Sequence, residues 1–249
     1  HGFWRQPVAA FFTLVFPLTF LVVLSAIVGN AVIDETTGLR FAQFVTPAFA
    51  VFGVCMASYV SLAAAVAYAR ESGVLKRLHG TPVPPAVQIG ARILSAVWVS
   101  MIAVFVLVGV GVAFYGVQIV WRTVPAVLVT LLVGIASFAA LGLAVAALAP
   151  SAAATQAITN GSLVLLAFVS GMFAFGDLPD WVDRVGDVFP LRHFVLAVSD
   201  AFNPYLSGPG FAIDHLAVMA AWGAVGAAVA IRWFRWEPRT GTRHGSTQA

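Results

Sequence analysis

Residues that commonly carry out chemistry are few and scattered in this chain. It has one cysteine, Cys55, one lysine, Lys76, and five dispersed histidines. A single cysteine allows neither a disulfide nor a thiolate cluster within one chain, and no His-Glu-x-x-His metal motif is present. A phosphate-binding loop ends in Lys-Ser or Lys-Thr, whereas Arg77 follows the only lysine. The sequence therefore predicts no catalytic, cofactor-binding or metal site in the chain, which is not an enzyme by itself.

The most distinctive polar pattern is the segment 70–85, Arg-Glu-Ser-Gly-Val-Leu-Lys-Arg-Leu-His-Gly-Thr-Pro-Val-Pro-Pro. We expect a short helix over 70–80, with Glu71 near its start and with Lys76 and Arg77 in its last turn, where they suit the helix dipole. Gly80 and the prolines after it would end the helix. One face would carry Val74, Leu75 and Leu78. A two-turn helix is marginal alone, so we expect it to dock on a partner, although an ordinary basic loop is the alternative.

Composition predicts that most of the chain lies in lipid. Of its 249 residues, 61% are hydrophobic and only 9% are charged, whereas a soluble domain carries roughly 25% charged residues. A helix needs roughly 20 apolar residues to cross a bilayer, and the sequence has long stretches without Asp, Glu, Lys or Arg. These stretches are 6–33, 41–69, 93–121, 123–176 and 215–231. Because they are continuous and not alternating, they indicate helices and not a barrel.

The sequence thus predicts an all-α integral membrane protein, a single transmembrane domain over 1–249 with six spans. The predicted spans are 9–30, 44–68, 92–115, 124–148, 156–176 and 213–233. Arginine and lysine are more frequent in the terminal segments and in the connection between the second and third spans than in the other connections. Because such positively charged connections lie on the cytoplasmic side, both termini are predicted to be cytoplasmic. The segment 177–205 is then external, and its spacing predicts short amphipathic helices that lie in or dip into the outer leaflet before the sixth span. Abundant arginine with one lysine hints at a bacterial cytoplasmic membrane.

The segment 70–85 resembles the coupling region of the ABC-2 family of transporter permeases, which joins the second and third spans. The matching positions are Arg70, Glu71, Gly73, Leu75, Arg77, Leu78, Thr81 and Pro82. The six-span layout, the long external segment and the stretch 189–202 resemble the family as well. The resemblance therefore extends over nearly the whole chain.

This resemblance implies a function and a set of partners. It implies the permease of an ABC exporter for drugs, antibiotics or lipids, with roles in efflux and drug resistance. Two such permeases, identical or related, would form a dimer and bind two cytosolic ABC ATPase subunits, which hold ATP and Mg. The implied ATPase-coupling residues are Arg70, Glu71, Gly73, Val74, Leu75, Lys76, Arg77 and Leu78. No nucleic-acid partner is implied.

The family also implies that the first, second and fifth spans border the substrate pathway. The residues that would line it are Phe12, Phe16, Thr19, Tyr59, Gln156 and Asn160. Packing between helices, including packing across a dimer, is the alternative role for small and hydroxyl residues here. A pathway without charge but with aromatic side chains favours a hydrophobic or amphipathic substrate.

A different class of function stays open at this point. The chain could act as an autonomous channel, a gradient-driven carrier or a membrane scaffold without an ATPase. Gradient-driven carriers usually hold ionisable residues inside the membrane, and no Asp, Glu, Lys or Arg lies deep in a predicted span. This observation favours the ATPase-dependent function.

Overall fold

The computed structural model describes residues 11–34, 38–74, 85–173, 179–205 and 207–233. Eight helices lie within these ranges. They are α1 (Phe16–Val28, after a π-helical turn Phe11–Val15), α2 (Phe41–Glu71), α3 (Pro85–Tyr115), α4 (Val124–Leu148), α5 (Ala152–Val169), α6 (Asp180–Gly186), α7 (Pro190–Phe202) and α8 (Ile213–Trp233). An antiparallel pair of short strands, β1 (Val32–Asp34) and β2 (Leu39–Arg40), follows α1.

Five of the described helices, α2, α3, α4, α5 and α8, are long and apolar enough to cross a membrane. The first predicted span, 9–30, corresponds to a shorter apolar helix, Thr13–Val28, and the residues before Phe11 lie outside the described part. The all-α membrane class is therefore confirmed, whereas the count of six spans stays a prediction.

α2 is the central helix of the bundle. It packs against α1, α3, α4, α5 and α7, and 89% of its most apolar window is buried, against 22% for α3 and for α8. A π-helical turn, Met56–Ser61, lies in its middle. Because α3 and α8 leave most of their apolar surface uncovered, that surface is suited to contact with lipid.

The chain reverses direction at two ends of the bundle, which we name by the helices joined there. At the α3–α4 end the Gln43 amide holds three segments together: its Nε2 donates to the carbonyl oxygens of Gln118 (3.1 Å) and Phe202 (2.7 Å). Gln118 N–H donates in return to Gln43 Oε1 (2.7 Å). This buried amide therefore links α2, the turn before α4 and the end of α7. The α4–α5 end lies at the other side of the bundle.

The segment 177–205 contains two helices, α6 and α7, which meet at Pro190. We expected both to lie in or dip into a leaflet. α7 packs against α2, α4 and α8, and its apolar face is buried in the protein core, whereas its depth in a leaflet stays a prediction. Phe194, which is fully buried, stacks on Phe138 of α4 at 6.0 Å between ring centroids. The side of the membrane on which this segment lies stays a prediction.

Candidate functional site

Arg70 is a buried cation at the α4–α5 end. Its side chain is only 2% exposed, and its guanidinium donates to two backbone carbonyls, Ala146 O (2.6 Å) and Ala149 O (2.9 Å). The last carbonyls of a helix have no partner within that helix and carry its negative dipole end. Arg70 therefore caps the C-terminus of α4, which ends at Leu148 because the residue before Pro150 adopts an extended conformation.

Glu71 supplies the complementary contact at the start of α5. Its Oε1 accepts a hydrogen bond from Ala152 N–H at 3.2 Å, and a carboxylate is favourable at the positive N-terminal end of a helix. Ser151 adds a side-chain N-cap by accepting from Ala154 N–H at 3.0 Å. Arg70 and Glu71, which we call the Arg70–Glu71 clamp, thus connect the end of α2 to both helices of the α4–α5 turn.

The clamp occupies a different position in its helix from the one that we expected. α2 runs to Glu71 without a break, so both residues lie in its last turn and not at the start of a separate helix. A turn at Ser72 and Gly73 then ends the helix, with Gly73 at a positive φ of 70°, which glycine adopts without strain. Val74 is exposed. Four predicted coupling residues lie outside the described residues: Leu75, Lys76, Arg77 and Leu78.

Two of the six predicted pathway residues, Tyr59 and Gln156, form hydrogen bonds across the contact between α2 and α5. Tyr59 is almost fully buried, and its hydroxyl shares a hydrogen bond with Ser162 Oγ at 2.9 Å. Gln156 Oε1 accepts from the Tyr68 hydroxyl at 3.3 Å. Asn160 Nδ2 donates to the backbone carbonyl of Gln156 within α5, at 2.9 Å. A row of hydroxyl and amide groups therefore follows this contact toward the clamp.

The other predicted pathway residues belong to α1 or to the turn before it. The Phe16 ring lies 4.5 Å from that of Phe20 and 5.8 Å from that of Phe52, between centroids, so it contributes to the α1–α2 contact. Thr19 is exposed. Phe12 lies in the π-helical turn, and its side chain is outside the described part. The structure thus brings Tyr59 and Gln156 to one contact, places Asn160 on the same helix as Gln156, and leaves Phe16 and Thr19 on a different helix.

A cavity of about 410 Å³ lies near the α3–α4 end, between α2, the end of α5 and the helices α6 and α7. Its polar lining includes Gln43, Asp183, Arg192 and Asp200. Arg192 pairs with Asp183 at 2.9 Å. Burial raises the pKa of the Asp200 carboxyl above its ordinary value, and nearby His215 partly opposes that shift. This end of the bundle therefore offers a small polar pocket with one cation and two carboxyl groups.

Sequence reasoning did not identify several of these contacts. Tyr68 and Ser162 were not among the predicted pathway residues, although each forms a hydrogen bond with one that was. The histidines His193 and His215 are distant in sequence, yet their Nδ1 atoms are 2.7 Å apart. The acceptors of Arg70 are backbone carbonyls, which no side-chain motif reveals.

The family model for the ABC-2 type transporter matches residues 1–203. This chain belongs to the ABC-2 type transporter family. No curated protein and no solved structure matches it. An ABC-2 permease is the membrane component of an ABC transporter and lacks the ATPase site, and the family implies an ABC ATPase as its partner. The predicted family and the multi-pass membrane character are confirmed.

Proposed function

We propose that this ABC-2 permease is the transmembrane subunit of an ATP-driven exporter. It moves a hydrophobic or amphipathic molecule, a drug, an antibiotic or a lipid, out across a bacterial cytoplasmic membrane. The observation that carries this proposal is the Arg70–Glu71 clamp. A force applied to the segment that follows Gly73 reaches α4 and α5 through hydrogen bonds to Ala146, Ala149 and Ala152.

The position of the clamp supports a coupling role for the adjoining segment 74–80. Val74, the last described residue before that segment, exposes its apolar side chain, which suits contact with a cytosolic ATPase. Both ends of the α4–α5 turn then respond when the segment moves. Arg70 lies at the C-terminus of α4 and Glu71 at the N-terminus of α5, and each charge stabilises the helix end that it contacts. The two charges therefore could not be exchanged without loss of the connection.

The chemistry of the helices supports an apolar cargo. Apart from the Arg70–Glu71 clamp, the hydrogen-bonded side chains described across the α2–α5 contact are hydroxyls and amides, which bind neutral or amphipathic molecules without the desolvation cost of a buried charge. Export of a lipophilic compound fits such a pathway. Transport of a small charged ion as the sole substrate would contradict this cargo class.

Uncovered apolar faces support a second permease subunit. α1 exposes Phe20 and Ile27, and α5 exposes Leu165 and Phe168. These two helices are the ones that the family resemblance assigns to the pathway, together with α2. A second copy or a related permease would cover these two faces and enclose a central substrate pathway. In this arrangement both termini of the chain are cytoplasmic.

The test is to purify the permease together with its ATPase and to reconstitute the complex in lipid vesicles. We expect Leu75→Asp and Leu78→Asp to insert normally but to abolish stimulated ATP hydrolysis, because a buried unpaired carboxylate disrupts an apolar docking face. The controls Leu75→Met and Leu78→Met keep that face apolar and should retain stimulation. Retained stimulation in both aspartate variants, or full transport by the chain alone without an ATPase, would overturn the proposal in favour of an autonomous channel, carrier or scaffold.

A further inference from the structure

An apolar groove of about 610 Å³ runs along the uncovered side of α3 and α4. Trp98, Phe105 and Gly109 line it on α3, and Leu128 lines it on α4. Trp98 is 72% exposed and Phe105 is 80% exposed, so the described residues leave this surface uncovered. Phe202 of α7 closes the groove from one side. Because α3 and α4 are membrane-spanning helices, the groove opens toward the hydrocarbon of the bilayer.

The dimensions of the groove match a single acyl chain. Its lining extends along α3 from Trp98 to Val112, which is roughly 21 Å at 1.5 Å per residue. One leaflet contributes about half of the ~30 Å hydrocarbon core, so a chain that enters from one surface fits within this length. The Thr123 hydroxyl in the lining already donates to Ala201 O at 2.5 Å, so it requires no polar partner from a ligand.

A cation lies at the mouth of the groove. Arg122 precedes Thr123 at the α3–α4 end, and its side chain is exposed. Its Nη2 donates a hydrogen bond to Pro204 O at 3.4 Å. Trp121 beside it is 78% exposed, as is typical of indole rings at the level of lipid headgroups. Arginine is the side chain best suited to a phosphate.

We propose that this groove is a binding site for an anionic phospholipid. One acyl chain lies between α3 and α4, and the phosphate lies at Arg122. The site is separate from the α2–α5 contact and does not depend on an ATPase. Its ligand belongs to the leaflet that contains the α3–α4 end, which is the outer one if both termini are cytoplasmic.

The experiment measures binding of spin-labelled phosphatidylglycerol and phosphatidylcholine to the full chain in vesicles, as the fraction of immobilised lipid. We expect the protein to prefer phosphatidylglycerol about fivefold, the effect of one arginine near a membrane surface. Arg122→Gln should abolish the preference and keep a motionally restricted chain. Equal binding of both lipids by the unaltered protein, or an unchanged preference in Arg122→Gln, would overturn the assignment of the phosphate to Arg122.

A second variant tests the groove itself. A Cβ added at Gly109 meets no atom within 4 Å, so Gly109→Phe fills the groove without displacing the protein, and the immobilised fraction should fall. Gly90→Phe is the matched control, because Gly90 lies on the same helix with equally open space but outside the lining. The same immobilised fraction in both variants would show that no chain occupies the groove.

Discussion

Arg70 stabilises the structure through groups that belong to the backbone. A buried arginine without partners would cost several kcal/mol, yet this side chain is only 2% exposed. The carbonyls of Ala146 and Ala149 compensate, because they accept hydrogen bonds from the guanidinium and would otherwise lack donor partners at the end of α4. The residue thus satisfies two helix-terminal acceptors and is itself held in one conformation.

We expect Arg70→Met to lower the free energy of unfolding by about 3 kcal/mol, since two hydrogen bonds from a charged donor are lost. For a chain of this size the midpoint of thermal unfolding in detergent should fall by about 8 °C. Arg92→Met is the matched control, because Arg92 makes a longer bond, 3.3 Å to Ala65 O, from a half-buried position. Equal shifts in the two variants would contradict the capping role.

The sequence alone could not have predicted that Arg70 caps the C-terminus of α4. The motif marked Arg70 and Glu71 as important, but their charges led us to place the boundary of the second span before them. A charge ends a span only where it must reach water, and here backbone carbonyls of another helix take the place of water. That substitution depends on tertiary contacts, which hydropathy does not contain.

At the scale of elements, close contact between helices depends on glycine. α8 packs on α4 with Gly223 and Gly226 at the contact. A Cβ added at Gly223 would lie 2.8 Å from Ser137 Oγ, and one added at Gly226 would lie 2.8 Å from the backbone nitrogen of Leu141. Within lipid, the hydrophobic effect does not drive helices together, because lipid tails are as apolar as the helix surfaces. Helix association there relies on such close packing of small residues.

We expect Gly226→Ala to separate α8 from α4 and to lower the free energy of unfolding by about 2 kcal/mol, the cost of overpacking against rigid backbone. Gly161→Ala is the control, since a Cβ at Gly161 in α5 meets nothing within 4 Å. That variant should be neutral or slightly stabilising, because alanine favours helix over glycine. Thermal unfolding of both variants in detergent provides the measurement, and unchanged stability in Gly226→Ala would show that the α4–α8 contact tolerates more space.

How far the sequence predicts each helix depends on its environment. Charge-free stretches predicted six spans, since lipid demands continuous apolar sequence, and five of them correspond to long apolar helices among the described residues. They did not predict that α7 would enter the core, because its amphipathic pattern suits a membrane surface and a protein interior equally. Likewise, the family resemblance assigned Tyr59, Gln156 and Asn160 to the pathway, but it did not predict that Tyr59 and Ser162 share a hydrogen bond.

At the scale of the whole molecule, α2 connects the two ends of the bundle. At the α3–α4 end Gln43 holds the start of α2 to the end of α7, and at the α4–α5 end the Arg70–Glu71 clamp holds its last turn to α4 and α5. We therefore expect a displacement of the last turn of α2 to be transmitted to both α4 and α5. α5 carries Gln156 and Asn160, which we propose border the pathway.

Glu71 provides the sharpest test of this connection in the reconstituted complex with its ATPase. Glu71→Leu removes the acceptor for Ala152 N–H, so hydrolysis should continue while transport per ATP falls about tenfold, the equivalent of one hydrogen bond of roughly 1.5 kcal/mol to a charged group. Glu71→Gln keeps an acceptor oxygen and should restore most of the ratio. A purely structural role would lower hydrolysis and transport together and leave their ratio unchanged. The ratio of transport to ATP hydrolysis thus distinguishes transmission of force from stability of the fold. Equal ratios in the unaltered protein and in Glu71→Leu would show that α5 moves independently of the clamp.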